Sequence, residues 1–205
     1  MKIIEPWVGL EDAPDGGEIL RKIERIGRVC YKSEGAIAGD SARGFVSRLL
    51  DRGHESVIEH VSVSARVVCD RGVSHELVRH RIASYSQEST RYCNYSQDKF
   101  ENHLTFIRPC FWDLDSGAYR LWERAMAEAE RAYLALLDAG ASPQEARSVL
   151  PNSVKTEIVA TMDLREWRHF FRLRTSAAAH PQMRQVALML LDELRAAVPV
   201  VFDRF

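Results

Sequence analysis

A short run of the sequence, between Arg79 and Tyr92, is rich in side chains that can bind a small anion. It reads RHRIASYSQESTRY and contains three arginines, one histidine, three serines, a glutamine and a glutamate. The guanidinium group of arginine presents a rigid fork of donors that matches phosphate and carboxylate oxygens two at a time. Hydroxyl and amide groups add uncharged donors that can also read the edge of a heterocycle. We therefore expect this segment to bind a small anionic ligand.

The overall charge of the chain argues against a nucleic-acid partner. Lys and Arg together number 28 and Asp and Glu 29, which leaves a net charge of -1. A protein that holds a nucleic-acid backbone normally carries a broad positive field, and none is present here. Because the basic residues are concentrated locally, a mononucleotide or a cofactor is the better candidate.

Length and composition are those of one globular domain, spanning residues 1–205. No apolar run reaches the roughly 18 residues that a membrane span needs. The N-terminal segment carries Glu5 and lacks the long apolar stretch of a secretory signal, so we expect a cytoplasmic protein without a membrane partner. The four cysteines form no Cys-x-x-Cys pair, which argues against a structural zinc site.

The elements around the Arg79–Tyr92 segment are mostly helical. The patterns predict helices over 18–29, 41–52, 74–79, 119–137 and 181–197, the second ended by Gly53. Capping signals predict two further helices. The helix that begins after Ser142 carries Arg147, and the helix that begins after Asp163 runs to Arg172. Period-two or β-branched runs predict strands over 61–67 and 154–162. Because helices do not alternate regularly with strands, we predict an α+β fold with an antiparallel sheet.

The directions of the arginines depend on local backbone conformation. On a helix Arg79 and Arg81 would point nearly opposite ways, about 200° apart, whereas an extended chain would put them on one face. Either the chain leaves the helix here, or the two arginines serve different ligands or subunits. Similarly, Ser89 and Arg91 can meet one ligand only in an extended segment or a turn.

A second group of candidate residues lies on the helix after Asp163. Arg165 and His169 are four positions apart and share a face, whereas Arg174 lies about 180° from Arg165 on an ideal helix. The two faces could serve two ligands. No G-x-G-x-x-G loop is present, so side chains would have to hold a pyrophosphate.

Metal and thiol chemistry are the less favoured alternatives. His75 and His80 are five positions apart, roughly 140° on a helix, where zinc-binding helices use four-residue spacing. We therefore predict no metal site.

A cysteine nucleophile would be Cys93 or Cys110, the latter following a proline, but a buried structural thiol is the favoured state of both.

Four motifs together resemble the flavin-dependent thymidylate synthase family. The signature is Arg-His-Arg, seven residues, then Ser, here Arg79 to Ser89. The upstream segment has His54-Glu55-Ser56 and Glu59-His60, and the two downstream segments are Ala146 to Pro151 and Leu173-Arg174. The resemblance covers roughly residues 20 to 200.

The resemblance to this family implies an α+β homotetramer, with sites at subunit interfaces, that methylates dUMP to dTMP. FAD is the implied cofactor, with NADPH and 5,10-methylenetetrahydrofolate as co-substrates.

The resemblance also implies roles for individual residues. Arg174 is the catalytic candidate, because a guanidinium can stabilise negative charge developing on the pyrimidine. The cofactor-binding residues are His54, Ser56, Arg79, His80, Arg81, Gln87, Asp163, Leu164, Arg165 and His169, the first two from a neighbouring subunit. The substrate-binding residues are Glu76, Leu77, Val78, Arg79, Gln87, Glu88, Ser89, Thr90, Arg91, Arg147 and Arg174.

The chain departs from the family pattern at three positions. Many members have Asn-Glu at Ser86-Gln87, and some have glutamine at Glu76. These differences weaken the roles implied for Glu76 and Gln87. Two other functions remain open: a relative acting on another pyrimidine nucleotide such as UMP, and a non-enzymatic nucleotide- or RNA-binding module.

Overall fold

An antiparallel sheet of four strands forms the centre of the chain. The computed structural model describes residues 1–11, 14–97 and 101–205. The sheet has the order β2-β3-β6-β4, and a separate parallel pair joins β1 to β5. The strands are β1 (Lys2–Ile4), β2 (Trp7–Leu10), β3 (Ser62–Asp70), β4 (Ala83–Gln87), β5 (Thr105–Ile107) and β6 (Lys155–Asp163).

Helices cover one face of this sheet and its ends. They are α1 (Gly16–Val29), α2 (Ser41–Asp51), α3 (Arg71–Leu77), α4 (Gly117–Asp138), α5 (Pro143–Ala146), α6 (Leu164–Arg174), α7 (Pro181–Ala197) and α8 (Pro199–Phe202). Short 3-10 turns span Glu34–Ala36, Glu55–His60 and Arg147–Val149. No helix among the described residues is long and apolar enough to cross a membrane.

Strict alternation along β6 determines which face of the sheet is covered. Ile158, Ala160 and Met162 are buried, while the residues between them are half-buried. In a strand, successive side chains point to opposite faces, so one face of β6 belongs to the core. This core includes the aromatic side chains Trp167 and Phe170 of α6. A smaller cluster gathers around α4 and β5.

The predicted α+β class and antiparallel sheet are confirmed, with five corrections. The helix predicted over 74–79 runs instead from Arg71 to Leu77 and ends before Arg79. Strands β1, β2, β4 and β5 were not predicted, and β1 and β5 pair in parallel. The capping box at Ser142 is present, but its helix ends at Ala146, so Arg147 lies in the following 3-10 turn. Helix α6 continues past Arg172 to Arg174, and α8 follows the helix predicted to be the last.

The carboxylate of Glu55 joins the turn before β3 to helix α6. Arg168 and Arg172 donate to it at 3.0 Å each, and Arg165 lies 3.9 Å away. These arginines are three, four and seven residues apart, so they lie on one face of α6. Burial alone would raise the pKa of Glu55, but the hydrogen bonds and charges of Arg172 and Arg168 lower it. Glu55 therefore remains charged and fixes the position of α6.

We expect Glu55→Gln to destabilise the protein by about 3 kcal/mol, because it leaves the buried guanidinium of Arg168 without a charged partner. Glu59→Gln is the matched control. Glu59 pairs with Arg165, but its side chain is 43% exposed against 13% for Glu55, so its loss should cost less than about 1 kcal/mol. Urea unfolding of both variants measures the difference. Equal losses would show that the Glu55 contacts have no special role.

Candidate functional site

The segment around Arg79 leaves the helix before the first arginine. Helix α3 ends at Leu77 and β4 begins at Ala83, with a turn between them. The hydroxyl of Tyr85 lies 2.8 Å from the carbonyl oxygen of Leu77 and 2.7 Å from that of His80, so its one proton lies between two acceptors and links both ends of this turn. The structure therefore settles one alternative, because the backbone here is not helical. Arg79 and Arg81 are exposed, whereas His80 between them is buried.

The imidazole of His80 connects the signature to helix α6. Its Nδ1 lies 3.3 Å from Glu166 Oε1, and its Nε2 accepts from Arg174 Nε at 3.1 Å. Its ring also contacts the rings of His169 and Phe170, with centroids 5.8 and 5.0 Å away. Burial and, secondarily, the charges of Arg174 and His169 lower the pKa of His80 to about 4. The ring is therefore neutral near pH 7.

Arg174 also contacts Glu76 of helix α3. Nη1 of Arg174 donates to Glu76 Oε2 at 2.8 Å, and Nη2 donates to the Glu76 carbonyl oxygen at 3.3 Å. The carboxylate of Glu76, whose role the sequence left open, thus holds the predicted catalytic arginine. Leu77 is buried and Val78 is exposed beside it.

A cavity of about 580 Å³ lies along α6, and its lining includes Glu166 and His169, which both contact His80. Arg165 and His169 both line it, as their four-residue spacing predicted. The carboxylate of Asp163 caps α6 by accepting from the Glu166 backbone N–H at 2.8 Å, and Leu164 is fully buried in the core. We call this space the α6 cavity, and its lining residues are Glu55, Glu59, Ile82, Asp163, Arg165, Glu166, His169 and Arg172.

A second cavity, of about 440 Å³, adjoins the end of the signature. Arg147 Nη1 lies 3.4 Å from the Thr90 hydroxyl, which brings two of the predicted substrate residues together. Arg71 and His75 line the same space and were not predicted. Their four-residue spacing on one face of α3 was the signal that could have indicated them. We call this space the cationic cavity; its described lining is Arg71, His75, Thr90, Gln144, Arg147, Ser148, Leu150, Pro151 and Asn152, without a carboxylate.

Other predicted residues make contacts within the chain. The amide of Gln87 donates to Ser74 Oγ at 2.9 Å and to Thr156 Oγ1 at 3.1 Å. The Glu88 carboxylate accepts from Tyr95 and Lys155, each at 2.8 Å. The side chains of Gln87 and Glu88 are therefore occupied by protein partners.

The remaining predicted residues lie at the surface or in a turn. Ser89 Oγ accepts from the Arg91 backbone N–H at 3.3 Å, so these two residues form a turn. The Arg91 guanidinium lies over the Tyr92 ring, 5.5 Å from its centroid. Ser56 is exposed, and His54 Nδ1 forms a hydrogen bond of 3.1 Å with the Tyr31 hydroxyl.

His80, Glu166 and His169 form a cluster of potential metal ligands, with ligand atoms within 4.8 Å of one another. Spacing arguments missed it because His80 lies 86 residues from Glu166, although Glu166 and His169 share α6. The hydrogen bonds do not suit a cation, however. Arg174 occupies Nε2, so the proton of the neutral ring lies on Nδ1 and leaves no lone pair there. The adjacent guanidinium would also repel a metal ion.

Cys110 departs from its predicted state. We expected Cys93 and Cys110 to be buried structural thiols, but Cys110 is exposed and Cys93 is half-buried. Partial burial still raises the pKa of the Cys110 thiol. Because the thiolate is the nucleophilic form, this shift reduces its reactivity at neutral pH.

The family model of the thymidylate synthase complementing protein matches residues 17–200. The flavin-dependent thymidylate synthase of Pyrococcus abyssi is 40% identical over 76% of this chain and 63% of its own length. That of Geobacter sulfurreducens is 36% identical over 85% of this chain and 77% of its own length. The chain belongs to this family. It spans just under two thirds of the length of the Pyrococcus relatives.

The fold also matches a solved structure. The UMP/dUMP methylase PolB of Streptomyces cacaoi, bound with 5-Br dUMP, superposes with a TM-score of 0.79 at 25% identity. The match covers 99% of this chain and 96% of that one.

The neutral state of His80 predicts a pH dependence of stability. The folded pKa of about 4 lies below the unfolded value of about 6.5, so the unfolded chain binds a proton first on acidification. This contribution is complete above pH 6.5 and is lost as the pH falls toward 4. We expect a loss on the order of 1–3 kcal/mol that is absent in His80→Asn. Urea unfolding at several pH values tests this, and parallel curves for both proteins would contradict it.

Proposed function

We propose that this protein is a flavin-dependent thymidylate synthase that methylates dUMP to dTMP. The proposal rests on one observation: residues of motifs that are distant in the sequence form hydrogen bonds in the fold. Arg174 donates to His80, and Arg147 donates to Thr90. In this proposal 5,10-methylenetetrahydrofolate supplies the carbon unit, and FAD reduced by NADPH supplies the hydride. The family membership supports this assignment.

The α6 cavity has donors that fit a flavin nucleotide. Arg165 and Arg172 pair with Glu59 and Glu55, so a pyrophosphate would have to exchange with these carboxylates to reach their donors. His169 adds a further donor, and the exposed side chain of Ile82 offers apolar surface. Arg79 and Arg81 lie on the segment that enters this region and are exposed. Bound FAD would supply redox chemistry, while the protein binds and orients the ligands.

We place the nucleotide phosphate at the segment Ser89–Arg91 and in the adjoining cationic cavity. Thr90 and Arg147 contact each other there, and Arg71 and His75 add two further cationic or donor groups. Guanidinium groups suit phosphate oxygens because they donate two hydrogen bonds in one plane. The absence of a carboxylate from the described lining favours an anion in this position.

Arg174 is proposed to contact the pyrimidine. A guanidinium at N3 and the adjacent carbonyl stabilises negative charge on the ring and makes C5 more nucleophilic. The contacts with His80 and Glu76 hold this side chain in place before substrate arrives, which reduces the reorganisation needed for reaction.

A homotetramer would complete the site. Exposed apolar side chains flank the signature and α6, among them Val78, Ile82, Tyr92 and Leu173. Apolar groups of this kind are suited to a subunit interface. Light scattering should give four chains per particle, and an active monomer would contradict the proposal.

UMP methylation is the second candidate, because the PolB structure carries the description UMP/dUMP methylase. The two substrates differ at the 2′ position of the sugar. Comparing turnover of dUMP and UMP under identical conditions separates the two assignments.

Arg174→Ala should leave flavin bound, visible as absorbance near about 450 nm, and should slow dTMP formation by about 10²–10³. The control is Arg195→Ala, which removes a half-buried arginine that pairs with Asp192 and donates to the Phe205 carbonyl oxygen. Near-normal turnover in Arg174→Ala, especially with loss of flavin, would contradict the role of Arg174.

Arg91→Lys and Arg147→Lys should each weaken dUMP binding by roughly tenfold, because an ammonium group cannot reproduce the guanidinium fork. Deoxyuridine, which lacks the phosphate, is the control ligand. Its weak binding should be the same in wild type and both variants by isothermal titration. If a variant loses affinity equally for both ligands, that arginine supports the fold or the base pocket instead.

A further inference from the structure

Glu166 is a buried carboxyl group to which the family resemblance assigns no role. It lies in the first turn of α6, and its side chain is only 10% exposed. Its backbone N–H is bonded to Asp163, as in a capping box. Its own carboxylate, however, lies 3.3 Å from His80 Nδ1. The titratable groups around it are Asp163, His169 and the hydroxyl of Tyr85.

The hydrogen-bond directions at His80 follow from the chemistry of Arg174. A guanidinium N–H can only donate, so the lone pair on His80 Nε2 must accept. A neutral imidazole then carries its proton on Nδ1, facing Glu166 Oε1. Without Glu166 the buried Nδ1–H would lose its acceptor, which weakens the preference for this tautomer against the opposite one. That tautomer would place an Nε2–H against the Arg174 Nε–H, donor against donor.

We propose that Glu166 is a positioning residue that acts through His80 to hold the Arg174 guanidinium for the pyrimidine. This inference rests on the proposed role of Arg174. The chain of contacts is continuous: Glu166 Oε1 to His80 Nδ1, and His80 Nε2 to Arg174 Nε. The contacts of Arg174 with Glu76 fix its terminal nitrogens, while His80 fixes its Nε. Losing the His80 acceptor would leave Arg174 Nε unpaired, and the contacts with Glu76 alone would then orient the guanidinium.

Two substitutions separate the hydrogen bond from the charge. Glu166→Gln keeps an oxygen that can accept from His80 Nδ1 but carries no charge, whereas Glu166→Ala removes the acceptor. Both are compared in the flavin-loaded protein labelled with ¹⁵N-histidine. Solid-state ¹⁵N spectra distinguish protonated from unprotonated ring nitrogens, and the spectrum of His80→Asn identifies the His80 signals.

We expect the Nδ1-protonated tautomer in wild type and Glu166→Gln, and a mixture or the opposite tautomer in Glu166→Ala. In parallel, kcat for dTMP formation should fall about 10- to 100-fold in Glu166→Ala, the usual effect of removing an orienting partner. KM for dUMP should change little, because the proposed phosphate contacts remain. Glu166→Gln should restore most of kcat.

Each contrary result has a definite meaning. An unchanged His80 tautomer in Glu166→Ala overturns the inference. So does a changed tautomer with wild-type kcat, because His80 would then not position Arg174. A Glu166→Gln variant as slow as Glu166→Ala would assign the effect to charge and overturn the positioning role. If the wild type forms no dTMP from dUMP, the proposed function fails, and the tautomer spectra still decide whether Glu166 controls His80.

Discussion

The site depends on one buried, uncharged imidazole. His80 accepts a hydrogen bond from Arg174 on one side and faces the Glu166 carboxyl on the other. A charged ring would place a cation against the Arg174 guanidinium in a poorly solvated position, where repulsion is strong. Burial keeps the ring neutral and so allows it to accept. The hydrogen bond from Arg174 of α6 to His80 of the signature requires that neutral state.

The sheet brings these distant residues together. Strand β4, which follows His80, pairs antiparallel with β6, with Ala83 opposite Met162. Asp163 is both the last residue of β6 and the N-cap of α6, so the helix starts directly beside the signature. One helix then presents Glu166, His169 and Arg174 to His80. The pairing of β6 with β3 over nine residues makes this frame rigid.

The sequence predicted elements that have strong local signals. Helices α1, α2, α4 and α7 are long and periodic. Gly53, with a positive φ, follows the C-terminal end of α2, and Pro181 is the first residue of α7. Strand β4 was missed because its sequence, Ala-Ser-Tyr-Ser-Gln, is mostly polar and becomes a strand through pairing with β6. Tertiary pairing outweighs local propensity in such segments.

In the site, too, local spacing predicted some features, whereas contacts between distant segments were missed. The shared cavity of Arg165 and His169 followed from their spacing on one helix. The contacts of Glu166 with His80 and of Glu76 with Arg174 span 86 and 98 residues, and no local pattern encodes them.

The most direct test of the proposed site is a crystal structure with 5-bromo-dUMP, in which anomalous scattering locates the bromine. Our account predicts the pyrimidine against Arg174, with the phosphate at Thr90, Arg91 and Arg147. A nucleotide bound away from Arg174, or a phosphate outside the cationic cavity and the Ser89–Arg91 turn, would contradict it.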